Sequence, residues 1–490
     1  MNSFQSSIYD PNIFGLVLQY FDIEEWIRLR ENKIIKKYQD SHKWCLSVNE
    51  IDVKYYELLK SGYKQIVQIN INKCYMKTRI EKTKKILNKI SSFISDTNIK
   101  KVNFKYFDKL EIIRTFLDNP YFYENLIELD ISNTRKPYKK IEPEFLEKFK
   151  NLKILKAKNS ISYISGNLQN IEVLDVEDCY FSLIPGTLTK LRILNLGTVE
   201  YIHEIPETLV TLEELYTETT VNLEELPKTL TKLRKLKVIL NNYSDTFINL
   251  ESLECTDNSL ITRVKTLPST YKKLKYLDCS SCMYLEKLPE TYEKLEYLNL
   301  HSCKYINQIS NTYINLIELD ISSSGIKKIP KELVNLIYLD CGDTDISEIP
   351  NTLIYLEELD CSYTKIKEIP EELDDLEELN CSNTLVNYLP DTLINLISLD
   401  ISNTKIKEIP DTFTNLMSID IIKTKIKKIP ETFTMLDRIQ CAYTSKLREI
   451  PNMSSLGYVM CNKNTKKKIP KHLDRVSPHC FYADCMVYST

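Results

Sequence analysis

Glycine is scarce in this chain, at 8 of 490 residues. Loops that cradle phosphates need several glycines at fixed offsets, and neither G-x-G-x-x-G nor G-x-x-x-x-G-K occurs. Nucleotide enzymes of those two types are disfavoured. Histidine is rarer still. The 5 residues His42, His203, His301, His472 and His479 form no H-E-x-x-H and no other pair on a helix face, and G-x-S-x-G is missing. Charge of one sign is lacking too: 65 basic against 68 acidic residues leave a net charge of −3, with no global pull toward nucleic acid or membrane. No apolar run approaches the ~20 residues that span a bilayer. The first such run, Ile13 to Leu18, is short and has no basic segment before it, so no secretory signal is read. The expectation is an intracellular, cytoplasmic protein with reduced thiols, no cofactor and no membrane or nucleic-acid partner.

What the chain has is a repeat. A leucine frame recurs every 20 residues at Leu316, Leu336, Leu356, Leu376, Leu396, Leu416 and Leu436. Upstream it continues through Leu126, Leu152, Ile171, Leu191, Leu212, Leu233, Leu250, Leu274 and Leu295 at spacings of 17 to 26, and it ends at Leu456. Self-similarity at a fixed period marks a solenoid. In Leu356–Leu376, the run Leu359-Asp360-Cys361 alternates apolar and polar, the period of a strand with one buried face. A turn follows, then Ile366, then Ile369-Pro370. Thirteen of the 18 prolines occupy that last slot. Proline cannot donate a ladder hydrogen bond, so it marks the exit from the sheet. A 20-residue unit leaves room for one short turn on the outer side. Stacking such units buries the leucine faces that no single unit can bury.

The pattern L-x-x-L-x-[LIC]-x-x-[TNC]-x-[LI]-x-x-[IL]-P resembles the leucine-rich-repeat family over about two thirds of the chain. The short units are similar to the 20-residue class of some bacterial effectors, and the composition resembles leucine-rich-repeat proteins of giant amoeba-infecting viruses. The resemblance implies an α/β solenoid. A continuous parallel sheet lines its concave face, and short turns or helical segments form its convex face. It also implies a non-enzymatic protein–protein interaction module, in the host cytoplasm if viral. The effectors' separate ubiquitin-ligase domain has no room here. One slot departs from the family. Its ladder Asn is here mostly Thr (Thr344, Thr364, Thr384, Thr404, Thr424, Thr444), with Asn258 once and Cys179, Cys282 and Cys303 elsewhere. A Thr hydroxyl bonding a neighbouring loop offers one donor where Asn offers two, so a less uniform loop spine is expected.

The ends differ from the repeat. Residues 1–50 read as a helical N-terminal module. Pro11, Ile13, Phe14, Val17, Leu18, Tyr20, Phe21, Trp26 and Leu29 resemble an F-box, although Asp10 stands where a Leu usually precedes the proline. That resemblance implies an adaptor-binding surface (Pro11, Ile13, Phe14, Val17, Leu18, Trp26) for a cullin-type ubiquitin ligase. The other reading is a helical cap on the first repeat, which a solenoid needs. Residues 51–125 read as irregular α/β, with strands at 65–71 and 99–104 and a basic amphipathic helix at 79–94. They could be degenerate repeats. The repeats proper occupy 126–470, and 471–490 form a C-terminal cap.

Of the 14 cysteines, Cys255, Cys279, Cys341, Cys361, Cys381, Cys441 and Cys461 fill inward strand slots and read as small buried hydrophobes. Stacked in register, they point the wrong way for disulfides. His479, Cys480 and Cys485 lack the spacing of a zinc site, so no metal is expected. The most informative polar feature is the middle strand position, which points away from the core onto the concave face. It reads Asp130, Asp175, Asn195, Asp278, Asn299, Asp320, Asp340, Asp360, Asn380, Asp400, Asp420 and Gln440. Glu128, Glu318 and Glu358 flank it. Like charges on adjacent strands cost stability. Hence Asp278, Asp320, Asp340, Asp360, Asp400 and Asp420 are the candidate site for a basic protein partner. The bland alternative is a scaffold spelling satisfied by water and nearby lysines. Lys327, Lys328, Lys365, Lys367, Lys405, Lys407, Lys425, Lys427 and Lys428 follow the strands and should make that edge basic.

Overall fold

A computed structural model describes residues 44–47, 66–70 and, with short gaps, 84–461. The chain divides into two compact units, Met1–Val176 and Glu177–Thr490.

The first unit carries six parallel strands: β1 (Trp44–Ser47), β2 (Ile66–Asn70), β3 (Lys101–Asn103), β4 (Glu128–Asp130), β5 (Ile154–Lys156) and β6 (Val173–Asp175). The ladder thus includes strands upstream of Leu126, and Asn70, Asn103 and Asp130 fall in one register. The two strands read within 51–125 are β2 and β3. Most of the helix expected at 79–94 lies outside the described residues. Short helices span Leu110–Leu117, Pro120–Asn125 and Pro143–Leu146. They cover a cluster of buried aromatics, in which the Phe116 ring lies 5.9 Å from Phe104 and 5.2 Å from Phe122. Asn119 starts one helix by accepting the Tyr121 N–H at 2.9 Å.

The second unit is a parallel solenoid of fourteen strands. They are β7 (Ile193–Val199), β8 (Glu214–Thr220), β9 (Lys235–Lys237), β10 (Ser252–Glu254), β11 (Tyr276–Asp278), β12 (Tyr297–Asn299), β13 (Glu318–Asp320), β14 (Tyr338–Asp340), β15 (Glu358–Asp360), β16 (Glu378–Asn380), β17 (Ser398–Asp400), β18 (Ser418–Asp420), β19 (Arg438–Gln440) and β20 (Tyr458–Met460). Each pairs in parallel with the next, and from β9 onward no register shift occurs.

One turn shows how the sequence makes the unit. Leu356, Leu359, Cys361, Ile366, Ile369 and Leu373 are all buried, while Glu357, Glu358, Lys365 and Lys367 are exposed. The outer side holds two successive turns rather than the single one expected: Leu373 N–H donates to the Pro370 carbonyl and Leu376 N–H to that of Leu373. The prolines set up the first turn with their fixed φ. In the slot three residues before the anchor leucine, Tyr271, Tyr292 and Tyr313 are fully buried. Their hydroxyls donate to the carbonyls of Ser244, Pro268 and Pro289 at 2.7–2.8 Å, so all three buried hydroxyls are satisfied.

The loop spine departs from the sequence reading. The Thr344, Thr364, Thr384, Thr404 and Thr424 hydroxyls donate to the carbonyl three residues back in their own unit, at 2.6–2.7 Å. Only Thr444 crosses, to the Ile421 carbonyl. Adjacent units are stitched elsewhere. The amides of Asn315, Asn335, Asn395 and Asn415, each just before an anchor leucine, donate to backbone carbonyls 21–22 residues earlier. The hydroxyls of Thr312, Thr352, Thr392, Thr412 and Thr432 do the same.

Candidate protein-binding face

Each three-residue strand points its middle side chain inward and its first and third outward. Register alone therefore gathers the third residues into one row: Asp278, Asn299, Asp320, Asp340, Asp360, Asn380, Asp400, Asp420 and Gln440 are successive Cα partners. All six predicted site residues lie in it.

The row also builds the corner that ends each strand. One carboxylate oxygen of Asp278, Asp320, Asp340, Asp360 and Asp400 accepts the N–H two residues on, at 2.8–2.9 Å. Asn299 and Asn380 do likewise. The residue after that N–H takes a left-handed conformation, as at Ser323, Asp343, Tyr363, Asn383 and Asn403, with φ between 53° and 58°. A short side chain that accepts a local N–H is what such a turn requires. These residues are therefore half-buried structural acceptors as well as surface charges, which the alternation pattern did not reveal.

Their second oxygens decide the electrostatics. Asn380 donates to Asp360 at 2.7 Å and Gln440 to Asp420 at 2.6 Å. Asp420 Oδ1 is buried without a hydrogen-bond partner among the described residues. Partial burial, reinforced by Asp320 and Asp360, pushes the Asp340 carboxyl up to about 6. Burial and Asp400 do the same to Asp420, also to about 6. Glu358 is raised by burial, then by Glu378, Glu357 and Glu318. Among the described residues none of the six aspartates forms an ion pair. The same face behaves differently over β8–β10, where Lys235 meets Glu214 and Lys237 meets Glu254, both at 3.3 Å. Acids are neutralised there and left uncompensated over β13–β18.

Sequence reading missed Glu378, which partners Glu358 in register, and Tyr276 and Tyr297, whose rings stack at 4.2 Å on the outward face. The repeat frame contained both signals: each occupies the first strand slot. The lysines at 327, 328, 365, 367, 405, 407, 425, 427 and 428 are all exposed. Lys365 pairs with Asp345 at 2.5 Å. Pro11, Ile13, Phe14, Val17, Leu18 and Trp26 lie outside the described residues, as do His479, Cys480 and Cys485. The seven inward-slot cysteines are buried. Unlike the expectation for stacked thiols, Cys255 Sγ and Cys279 Sγ approach to 3.2 Å, while Cys282 and Cys303 turn to the Cys255 and Cys279 carbonyls. Burial raises the Cys279 and Cys303 thiols, which keeps them protonated. Among the described residues no cluster of His, Cys, Asp and Glu could hold a metal ion, and no helix is long and apolar enough to cross a membrane.

Residues 395–416 match the family described as Leucine Rich Repeat. A leucine-rich-repeat protein of Leptospira interrogans has a similar structure, with 17% identity, a TM-score of 0.54, and coverage of 80% of this chain and 99% of that one. The fold is a leucine-rich-repeat solenoid. YopM from Yersinia enterocolitica aligns over 72% of this chain and 94% of its own, at 19% identity and a TM-score of 0.42. The functional domain of InlJ from Listeria monocytogenes, described as including a cysteine ladder, aligns over 55% of this chain and 63% of its own, at 21% identity and a TM-score of 0.45. No curated protein sequence matches the chain. A leucine-rich-repeat solenoid is consistent with a protein-interaction module, since it presents a broad sheet face whose outward side chains are not used in the core.

Proposed function

We propose that this leucine-rich-repeat protein is a non-enzymatic binding module whose sheet face receives a basic protein partner, at Asp278, Asp320, Asp340, Asp360, Asp400 and Asp420. One observation carries the reading: the acids over β13–β18 lie in one register without ion-pair partners among the described residues, while Glu214 and Glu254 over β8–β10 of the same face are paired. A cationic surface would relieve that repulsion and gain steering from it.

Asp to Asn changes at all five positions from Asp320 to Asp420 remove the charge, and at Asp320, Asp340, Asp360 and Asp400 they keep the strand-end acceptor. They should weaken capture of basic proteins from a host-cell lysate, and wild-type capture should fall with added salt. Salt-independent capture, unchanged in the variant, would sink the reading. The proposed layout is an N-terminal module at 1–50, irregular α/β at 51–125, repeats at 126–470 and a cap at 471–490, with the parallel ladder reaching upstream through β3 and β2 to β1. Within it the F-box resemblance supports a substrate receptor of a cullin-type ligase in the cytoplasm of a host cell. A chain starting at Ile51 should then lose a cullin adaptor that the full chain retains. No adaptor in either sample rejects that alternative.

A further inference from the structure

The segments that lead into the strands form a second surface, on the flank of the second unit rather than its sheet face. Three positions around each anchor leucine face outward there: the two before it and the one after. Around Leu274 they are Lys272, Lys273 and Lys275, all exposed. Around Leu316 and Leu336 they include Ile314, Ile317, Val334 and Ile337, which are 37–50% exposed. Around Leu376 they are Asp374, Asp375 and Glu377, again all exposed. From Leu274 to Leu376 the flank runs from the three lysines, through a mixed turn of Glu293, Lys294 and Glu296 in which Lys275 pairs with Glu296 at 2.6 Å, to an apolar centre and then to the acids. A groove of about 740 Å³ follows it from Lys275 and Lys294 past Ile317, Ile337 and Tyr355 to Asp375. The Asn315 and Asn335 amides, bonded to the Glu293 and Ile314 carbonyls, hold this surface to the preceding turns.

A gradient of that form is complementary to itself when reversed. We propose that this flank binds a second copy of the same chain in antiparallel, two-fold fashion. An axis between the turns of Leu316 and Leu336 sets Ile314 and Ile317 of one copy on Val334 and Ile337 of the other. It sets Lys272 and Lys273 against Asp374 and Asp375, twice over, while the mixed turn of Glu293, Lys294 and Glu296 faces Ile354, Tyr355 and Glu357. The match continues outward. Ile248, 53% exposed, meets Ile394 and Ile397, and Val210 meets Met435. Large apolar residues exposed in such a row mark an interaction surface, and an isologous contact is the commonest way to close one.

The area is sufficient. Turns ~4.8 Å apart give ~53 Å from the turn of Leu212 to that of Leu436, and at ~10 Å depth each copy covers ~500 Å². The pair then buries about 1,000 Å², the lower bound for a specific interface. The axis runs from the sheet face toward the opposite side, so both sheet faces stay open for a partner.

Sedimentation of the full chain tests this. We expect a monomer–dimer equilibrium that salt weakens, and a dissociation constant raised ~10-fold or more by Ile337→Asp. Lys272→Glu/Lys273→Glu should lose self-association, because both contacts become acid on acid. Asp374→Lys/Asp375→Lys should lose it for the opposite reason. An equimolar mixture of these two variants should regain dimers, since each restores the other's charge pairing. All four substituted charges are exposed, and circular dichroism confirms that the variants fold. A chain that stays monomeric at its highest soluble concentration overturns the proposal. So does a dimer that survives both double variants, or a mixture that fails to rescue.

Discussion

Asp340 and Asp420 give the sharpest test of how the outward row is balanced. Each carboxyl is pushed up to about 6 in the folded chain from an ordinary value of 3.8. The ionised form is therefore disfavoured by folding. Raising a carboxyl from 3.8 to about 6 corresponds to ~3 kcal/mol. These side chains are only half-buried, and solvent screening lowers the figure to about 1 kcal/mol each. The sign follows from proton counting: the native state binds more protons than the unfolded state between pH 3.8 and about 6. Stability should then fall as pH rises through that window and stay reduced above it.

Asp340→Asn keeps the oxygen that accepts the Gly342 N–H at 2.9 Å. Its new amide can donate to Asp320 as the Asn380 amide donates to Asp360. The expected result is a gain of about 1 kcal/mol at pH 7.5, shrinking toward zero near pH 4. Asp420→Asn should behave alike. Urea titrations at several pH values, followed by far-UV circular dichroism, measure it. A loss of stability, or a gain of constant size from pH 7.5 to 4, would refute the reasoning.

Other outcomes follow from the spine and the core. Thr364→Val leaves the buried Cys361 carbonyl without its 2.6 Å donor and should cost about 1 kcal/mol in denaturation, while Thr364→Ser should cost less. Tyr313→Phe removes the donor to the Pro289 carbonyl and should cost a similar ~1 kcal/mol. Lys423 holds a φ of 57°, so Lys423→Gly should raise the urea midpoint by the equivalent of ~0.5–1 kcal/mol. The seven inward-slot cysteines should resist a thiol reagent in the native protein and react on unfolding; fast reaction under native conditions would contradict their burial.

The repeat was legible because burial acts with a fixed period. Leu356, Leu359, Cys361 and Ile366 must point inward whatever else the unit does, so the pattern alone locates the sheet and its outward row. The spine was not legible. Thr364 and Asn335 are both polar residues beside turns, and sequence cannot tell which bonds its own unit and which crosses to the previous one. That choice depends on side-chain reach at a corner whose left-handed residue, Tyr363, carries no glycine signature. The flank gradient was missed for another reason. Lys272, Ile317 and Asp375 are unremarkable one turn at a time, and only stacking the turns in register reveals a direction.

The double role of the aspartates separates their presence, which the turn explains, from their charge, which the turn does not require. The strand-end turn needs an oxygen acceptor two residues before the bonded N–H, and Asn299 and Asn380 show that an amide serves. Turn chemistry therefore accounts for Asp or Asn, but not for Asp on three consecutive strands, β13 to β15. If the charge serves only the scaffold, replacing it should be neutral or destabilising. If it serves a partner, Asp→Asn variants should become more stable alone and bind more weakly, the trade expected of a surface kept under strain for recognition. Measuring stability and capture on the same variant separates the two cases. Stability up with capture down supports a site. Stability up with capture unchanged leaves the charge without a role, and stability down returns the row to the scaffold.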